Sequence, residues 1–252
     1  MPAVKLPIKS VLPAHLLALF LVLAAVAIAA SYGYYHSQKK QVRTQQSQYL
    51  NAVTDLKIQQ LADWRQERLK DAESIIANRF AIDPIHAWLQ DGAPDDERCS
   101  MLLKWMEGLR HGRVYDAVYL LDVNGRSIAH STAGSTACQR SSGELFPQFR
   151  HGHQPELIDF YRDQEGHPSL NLVVPLIPQL TMMHASTATL VLTINPERTL
   201  YPLIKNWPVY SRTAETMLGR FENGQILYLN DLRMHANAAV NLRLPGNSRD
   251  LP

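Results

Sequence analysis

The 252-residue chain has little of what marks most function classes. Its formal charge is only +2, from 25 Lys and Arg against 23 Asp and Glu, and no basic block or basic aromatic motif accompanies it, which sets nucleic acid aside as a partner. There are two cysteines, Cys99 and Cys138, in no metal-type spacing. That excludes a zinc ribbon and leaves either a disulfide or two free thiols, a bridge becoming plausible if this part of the chain lies outside the cytosol. No Gly-rich phosphate loop, Gly-x-Ser-x-Gly elbow, His-Glu-x-x-His helix, kinase motif or cyclase motif occurs, so no enzyme and no cofactor is expected. His151, His153 and His167 invite a metal, because neutral imidazoles suit zinc or copper. Flanked by Gly and Pro, they are taken as solvated loop residues, and no metal is assigned.

Gly and Pro are absent from residues 34–83, and this stretch organises the chain. Val42, Tyr49, Leu50, Val53, Leu56, Leu61, Trp64, Leu69, Ala72, Ile75, Ile76 and Phe80 mostly recur at spacings of three, four or seven, as one face of a helix requires. Some 45 helical residues would reach about 70 Å, more than a small domain needs for its own core. The stretch is expected to end at Pro84. A turn of it, Trp64 with Arg65, Glu67 and Arg68, would lie at a dimer seam or against the sheet. The bland alternative is a buried Trp beside charges paired at helical spacing. A homodimer is expected, since a long exposed apolar stripe has to be covered by something.

Before it, residues 11–35 are almost without charge, and about 20 apolar residues suffice to cross a bilayer. Tyr32, Tyr34 and Tyr35 sit where an interfacial belt would. A cleaved signal peptide competes, with Lys5 and Lys9 as its positive region and Ala27-Ile28-Ala29 as a cleavage site, but the run exceeds a signal's apolar core and continues into the helix without a break. The expected orientation puts a short tail, 1–10, inside and the bulk outside, although Lys39, Lys40 and Arg43 outnumber Lys5 and Lys9. After residue 36 no second apolar run of about 18 residues occurs.

The rest alternates helix and strand. Asp95 is a fair N-cap for a helix through Met101, Leu102, Trp105, Met106 and Leu109. Residues 115–122 and 126–131 flank Val123-Asn124-Gly125, a hairpin in which Asn-Gly supplies positive φ angles. A short helix at 144–150 and strands at 157–162, 169–177 and 187–194 follow, giving a sheet of five antiparallel strands in an α+β arrangement. Pro196 opens a helix to Lys205, and a second hairpin, 216–221 and 225–230, turns at Glu222-Asn223-Gly224. The domains expected are thus a tail 1–10, a membrane helix 11–35, a stalk 36–83, a distal lobe 84–195, and a linker helix with the start of an incomplete second lobe, 196–252.

This order of elements resembles the extracytoplasmic double Cache (PAS-like) sensor region of bacterial transmembrane receptors. The residues that carry the likeness are Leu61-Ala62-Asp63-Trp64-Arg65-Gln66-Glu67-Arg68 with Asp71-Ala72, then Tyr115-Asp116-Ala117-Val118-Tyr119-Leu120-Leu121-Asp122-Val123-Asn124-Gly125, and Thr213-Ala214-Glu215-Thr216. It covers most of residues 36–245. The resemblance implies a non-catalytic sensor of the bacterial inner membrane, single-pass, with its bulk in the periplasm. Its distal lobe would bind a small molecule, and its helices would signal to a histidine kinase, a diguanylate cyclase or a chemotaxis output. No output domain is in this sequence, and with one span and an incomplete second lobe the chain looks like a fragment, a truncated product or a sensor separated from its output.

In such a lobe the ligand pocket would lie between one sheet face and the loops after the first hairpin. Alternation puts Tyr115, Ala117, Tyr119 and Leu121 on one face of the first strand and Asp116, Val118, Leu120 and Asp122 on the other. Tyr119, His130, Arg140, Tyr161 and Asn171 are the candidate ligand-binding residues, as hydrogen-bonding groups or, for Arg140, as partner to an anion. Each also has a plain reading, Tyr as strand packing and Arg140 as a solvated charge. Two other readings stand beside the sensor: a non-catalytic structural or partner-binding periplasmic protein, and a secreted enzyme released by cleavage near Ala29.

Overall fold

The structure is a computed structural model that describes residues 14–112, 114–141, 145–146, 152–177, 188–208 and 214–246. It divides into two units, Met1–Asp55 and Leu56–Pro252. In the first, the described residues all belong to helix α1 (Ala14–Ala77). Its large apolar side chains from Leu19 to Ile28 are exposed, and this is one helix long and apolar enough to cross a membrane.

In the second unit α1 turns Ala72 and Ile75 inward, with Leu61, Trp64, Leu69 and Ile76 packed beside them. It stops at Ala77 rather than at Pro84. Asn78 breaks the helix at ψ 80°, donating its N–H to Ile75 O at 3.1 Å, while its own carbonyl accepts from Ala81 and Ile82 and starts α2 (Arg79–Gln90). Pro84 lies inside α2. The N–H it lacks would have met the carbonyl of Phe80, in the first turn of α2 and 95% exposed, where water can replace the lost donor. Ile82, Ile85 and Trp88 are buried, and Trp88 Nε1 donates to Pro94 O at 2.8 Å.

Helix α3 (Glu97–His111) is capped by Asp96, not Asp95, because the Asp96 carboxylate accepts from the N–H groups of Arg98 and Cys99. Cys99 is disulfide-bonded to Cys138, which ties α3 to the chain beyond β3. The strands are β1 (Ala117–Leu121), β2 (Ser127–Ser131), β3 (Thr136–Ala137), β4 (Glu156–Arg162), β5 (Pro168–Leu176) and β6 (Ala188–Ile194). All pair antiparallel in the order β3-β2-β1-β6-β5-β4. The sheet therefore has six strands where the pattern shows five; β3 is two residues long and too short to leave an alternation. The expected helix at 144–150 falls mostly outside the described residues.

Val118, Leu120, Leu170, Leu172, Val174, Leu176, Leu190, Leu192 and Ile194 form one core with α1, α2 and α3. Leu121, Val173 and Val191 gather with Phe146 on the opposite face. The helix expected from Pro196 to Lys205 is two short ones, α4 (Pro196–Thr199) and α5 (Tyr201–Lys205), parted at Leu200. Strands β7 (Gly219–Glu222), β8 (Gln225–Tyr228) and β9 (Arg243–Pro245) make a separate three-stranded sheet. The two Asn-Gly turns also differ. Asn223 and Gly224 both take positive φ, whereas in the first hairpin only Gly125 does. There the Asp122 carboxylate closes the turn by accepting from Asn124 and Arg126.

Candidate functional site

The face of the six-stranded sheet away from the helices holds an open groove of about 640 Å³. Strand alternation supplies its floor: Ala117 and Tyr119 from β1, Thr193 from β6, Ser169 from β5 and Tyr161 from β4. Leu145 and Phe146 line it as well, Phe146 edge-on to Tyr119 at 5.5 Å between ring centres. The turn Asp163 to His167 forms one side, with Asp116 and Asn195 nearby.

Asn171 lies fully buried in β5, paired in register with Thr193 and Ile158. Its Oδ1 accepts from the Tyr161 hydroxyl at 3.1 Å. Its Nδ2 and the Thr193 hydroxyl, both buried, have no hydrogen-bond partner among the described residues. A buried donor left unpaired costs about 1–3 kcal/mol. Thr193 and Tyr161 line the groove, and Asn171 lies in the sheet beneath them. Burial pushes the Tyr161 phenol up to about 12. The Tyr119 phenol is also raised, by burial first and then by the Asp163 and Glu165 carboxylates. Both therefore act at neutral pH as protonated donors. The formal charges around the groove lean acidic, with Asp116, Asp163 and Glu165 among the lining residues. Asp116 is paired with Arg198 at 2.9 Å.

The structure brings Tyr119, Tyr161 and Asn171 onto this face. His130 stands opposite Tyr119 on β2, its ring 6.4 Å away and its Nε2 3.2 Å from Ser135 Oγ. Arg140 is exposed in the coil after β3 and does not line the groove. Tyr115 is not a groove residue either, for it precedes β1 and packs in the helix-side core. Its hydroxyl donates to Asp71 at 2.7 Å, and burial with the Asp71 carboxylate raises its phenol. Arg68 is buried, 3.0 Å from both Glu67 and Asp71 and 6.0 Å from the Tyr115 ring centre, so it joins α1 to the start of β1. Trp64 is half-buried and Arg65 exposed. Thr193, Ser169 and Asp163 are not among the residues the sequence pattern singles out, because Thr193 comes beside Asn171 only through the register of β6 against β5.

Among the described residues no three His, Cys, Asp or Glu side chains converge as a metal site; His151 lies outside them. A second hollow, of about 300 Å³ between α2 and α3, is apolar and lined by Phe80, Met101, Leu102 and Trp105 among others.

These elements define an α+β lobe with a ligand-sized groove on one sheet face. No family model matches the chain, and no curated protein matches it. Among solved structures it is similar to the ligand-binding domain of the Campylobacter jejuni chemoreceptor Tlp3 in complex with 4-methylisoleucine, at 14% identity over 62% of this chain and 59% of that one, TM-score 0.45. It is also similar to a domain of a sensory box/GGDEF family protein from Vibrio parahaemolyticus, at 19% identity over 72% of each chain, TM-score 0.44. A third is the sensor domain of the Vibrio cholerae histidine kinase DctB, at 15% identity over 61% of each, TM-score 0.39. The chain spans about six tenths of the length of the first structures it matches. Likeness at this level fixes no ligand for this chain.

Proposed function

We propose that this is a membrane-anchored, extracytoplasmic, non-catalytic sensor domain whose groove binds a small polar molecule. The observation that carries the reading is a groove of about 640 Å³ lined by Tyr119, Tyr161 and Thr193, over a buried Asn171 amide that, like the Thr193 hydroxyl, has no hydrogen-bond partner among the described residues. In this reading residues 11–35 cross the bacterial inner membrane, 36–83 are the stalk, 84–195 the ligand lobe and 196–252 a linker and second lobe. The stalk pairs with that of a second copy and passes the signal to a histidine kinase or diguanylate cyclase output.

The test is a thermal-shift screen of the intact chain in detergent micelles against organic acids, amino acids and polyamines. A ligand at one hundred times its Kd stabilises by about 2.7 kcal/mol, enough for a clear rise in Tm. The reading expects at least one such compound, with the rise lost in Asn171→Leu/Tyr161→Phe; a flat screen on well-folded protein contradicts it.

The apolar hollow between α2 and α3, with Phe80 95% exposed at its edge, favours a second reading as a structural or partner-binding protein. Crosslinking in membranes that joins this hollow to another periplasmic protein, together with a flat ligand screen, would support it.

A further inference from the structure

The turn that forms one side of the groove is fastened to the C-terminal part of the chain through one side chain. Arg162, the last residue of β4, lines the groove. Its guanidinium donates to four backbone carbonyls. Nη1 reaches Gly166 O at 2.6 Å within the turn, Nη2 reaches Ala239 O at 2.8 Å and Asn237 O at 3.4 Å, and Nε reaches Val240 O at 3.4 Å. Three carbonyls of one short segment thus converge on a single cation.

That segment is strained. Asn237 and Val240 have φ of 61° and 54°. Asn tolerates the left-handed region, but a β-branched residue there is an outlier. Such strain persists only where the surroundings over-determine it, and it gathers at switch regions. Around Val240 the holds are its own N–H on Tyr228 O at 2.7 Å, the N–H groups of Asn241 and Leu242 on Ala238 O at 3.0 and 2.9 Å, the Asn241 side-chain amide on Asn237 O at 3.3 Å, the Asp231 carboxylate accepting from Ala239 N–H at 3.0 Å, the burial of Ala238 and Ala239, and Arg162. Of these, Arg162 comes from the groove. At the groove end the turn is set by the Asp163 carboxylate, which accepts from Glu165 N–H at 3.0 Å and His167 N–H at 2.8 Å, and by Gly166 at φ 86°. Any contact that shifts Asp163, Glu165 or His167 moves the Gly166 carbonyl on which Arg162 rests.

We propose that Arg162 is a positioning residue, a clasp that couples the groove's turn, 163–167, to the strained segment 237–240, so that a change at either end is felt at the other. Through Tyr228 of β8 the three-stranded sheet then senses the state of the groove. The clasp takes its purpose from the ligand-binding reading but is tested without any ligand.

The experiment is hydrogen exchange by mass spectrometry on the intact chain in detergent micelles. Arg162→Met keeps an unbranched apolar stem and removes every donor. Amides of 238–242 should exchange at least tenfold faster, those of the turn severalfold faster, and those of β1 and β6 at their former rate. Asp163→Ala, which releases the turn, should speed 238–242 while Arg162 is present and add nothing once it is Met. Val240→Gly, which removes the φ strain, should shrink the Arg162→Met effect on the segment below threefold. Unchanged exchange at 238–242 in Arg162→Met overturns the proposal. So does an Asp163→Ala effect of equal size in both backgrounds. If Arg162→Met also frees β1 and β6, Arg162→Lys decides: it should give a smaller but measurable speeding of 238–242, and no change there overturns the clasp. A flat ligand screen with the coupling intact would remove the sensory reading and leave the clasp standing.

Discussion

Strand β5 is buried along its whole length, yet its two faces are closed in different ways. Toward the helices it presents Leu170, Leu172, Val174 and Leu176, all in the main core. Toward the groove it presents Ser169, Asn171, Val173 and Pro175, among them an amide whose donor has no partner among the described residues. One face gains stability from apolar area removed from water. The other gives some up by holding buried polar atoms without partners among the described residues, the feature on which the proposed recognition of a polar molecule rests.

The sharpest way to break this contrast is to truncate one residue on each side. Leu172→Ala, on the helix face at 0% exposure, should cost about 2–5 kcal/mol in chemical unfolding of the intact chain. Loss of the Cys99–Cys138 bridge, which closes a loop of 39 residues in sequence, should come next at about 3–4 kcal/mol, seen as a lower Tm in Cys99→Ala/Cys138→Ala or under reductant. On the groove face, Asn171→Leu/Tyr161→Phe should change stability by no more than about 1 kcal/mol, because both members of a polar pair become apolar together. A cost like that of Leu172→Ala would make Asn171 a structural residue and dissolve the contrast.

The smallest effect is one of pH. The Arg98 guanidinium, hydrogen-bonded to Asp96, holds that carboxyl below its ordinary value of 3.8. A depressed carboxylate contributes stability that is complete above the unfolded value and lost as pH falls through the folded one. Melting curves should therefore drop below pH 3.8 less steeply in Asp96→Asn than in the parent, and identical slopes would remove this cap from the account.

Much of the helix face was legible in the sequence, because period-3.6 and period-2 patterns report burial directly. Ala72, Ile75, Val118 and Leu120 all lie where those patterns put them. The break at Asn78 was not legible, since neither Gly nor Pro marks it and Pro84 six residues on is the louder signal. Tyr115 misled for a different reason: alternation holds only inside a strand, and β1 begins at Ala117. The groove was half legible. Alternation gives the two faces of each strand, but that Tyr119, Tyr161, Asn171 and Thr193 share one face depends on inter-strand register and on the irregularity in β4 between Ile158 and Tyr161. Arg162 was out of reach altogether, because three of the four carbonyls it binds lie 75 to 78 residues further along the chain.

The central claim is that the groove face is kept polar for a ligand. Calorimetric titration of the intact chain with the compound giving the largest thermal shift tests it most directly, run on the parent and on Asn171→Leu/Tyr161→Phe. The account predicts one site per chain in the parent and binding at least tenfold weaker in the variant. Equal affinity in both would place the ligand elsewhere and contradict it.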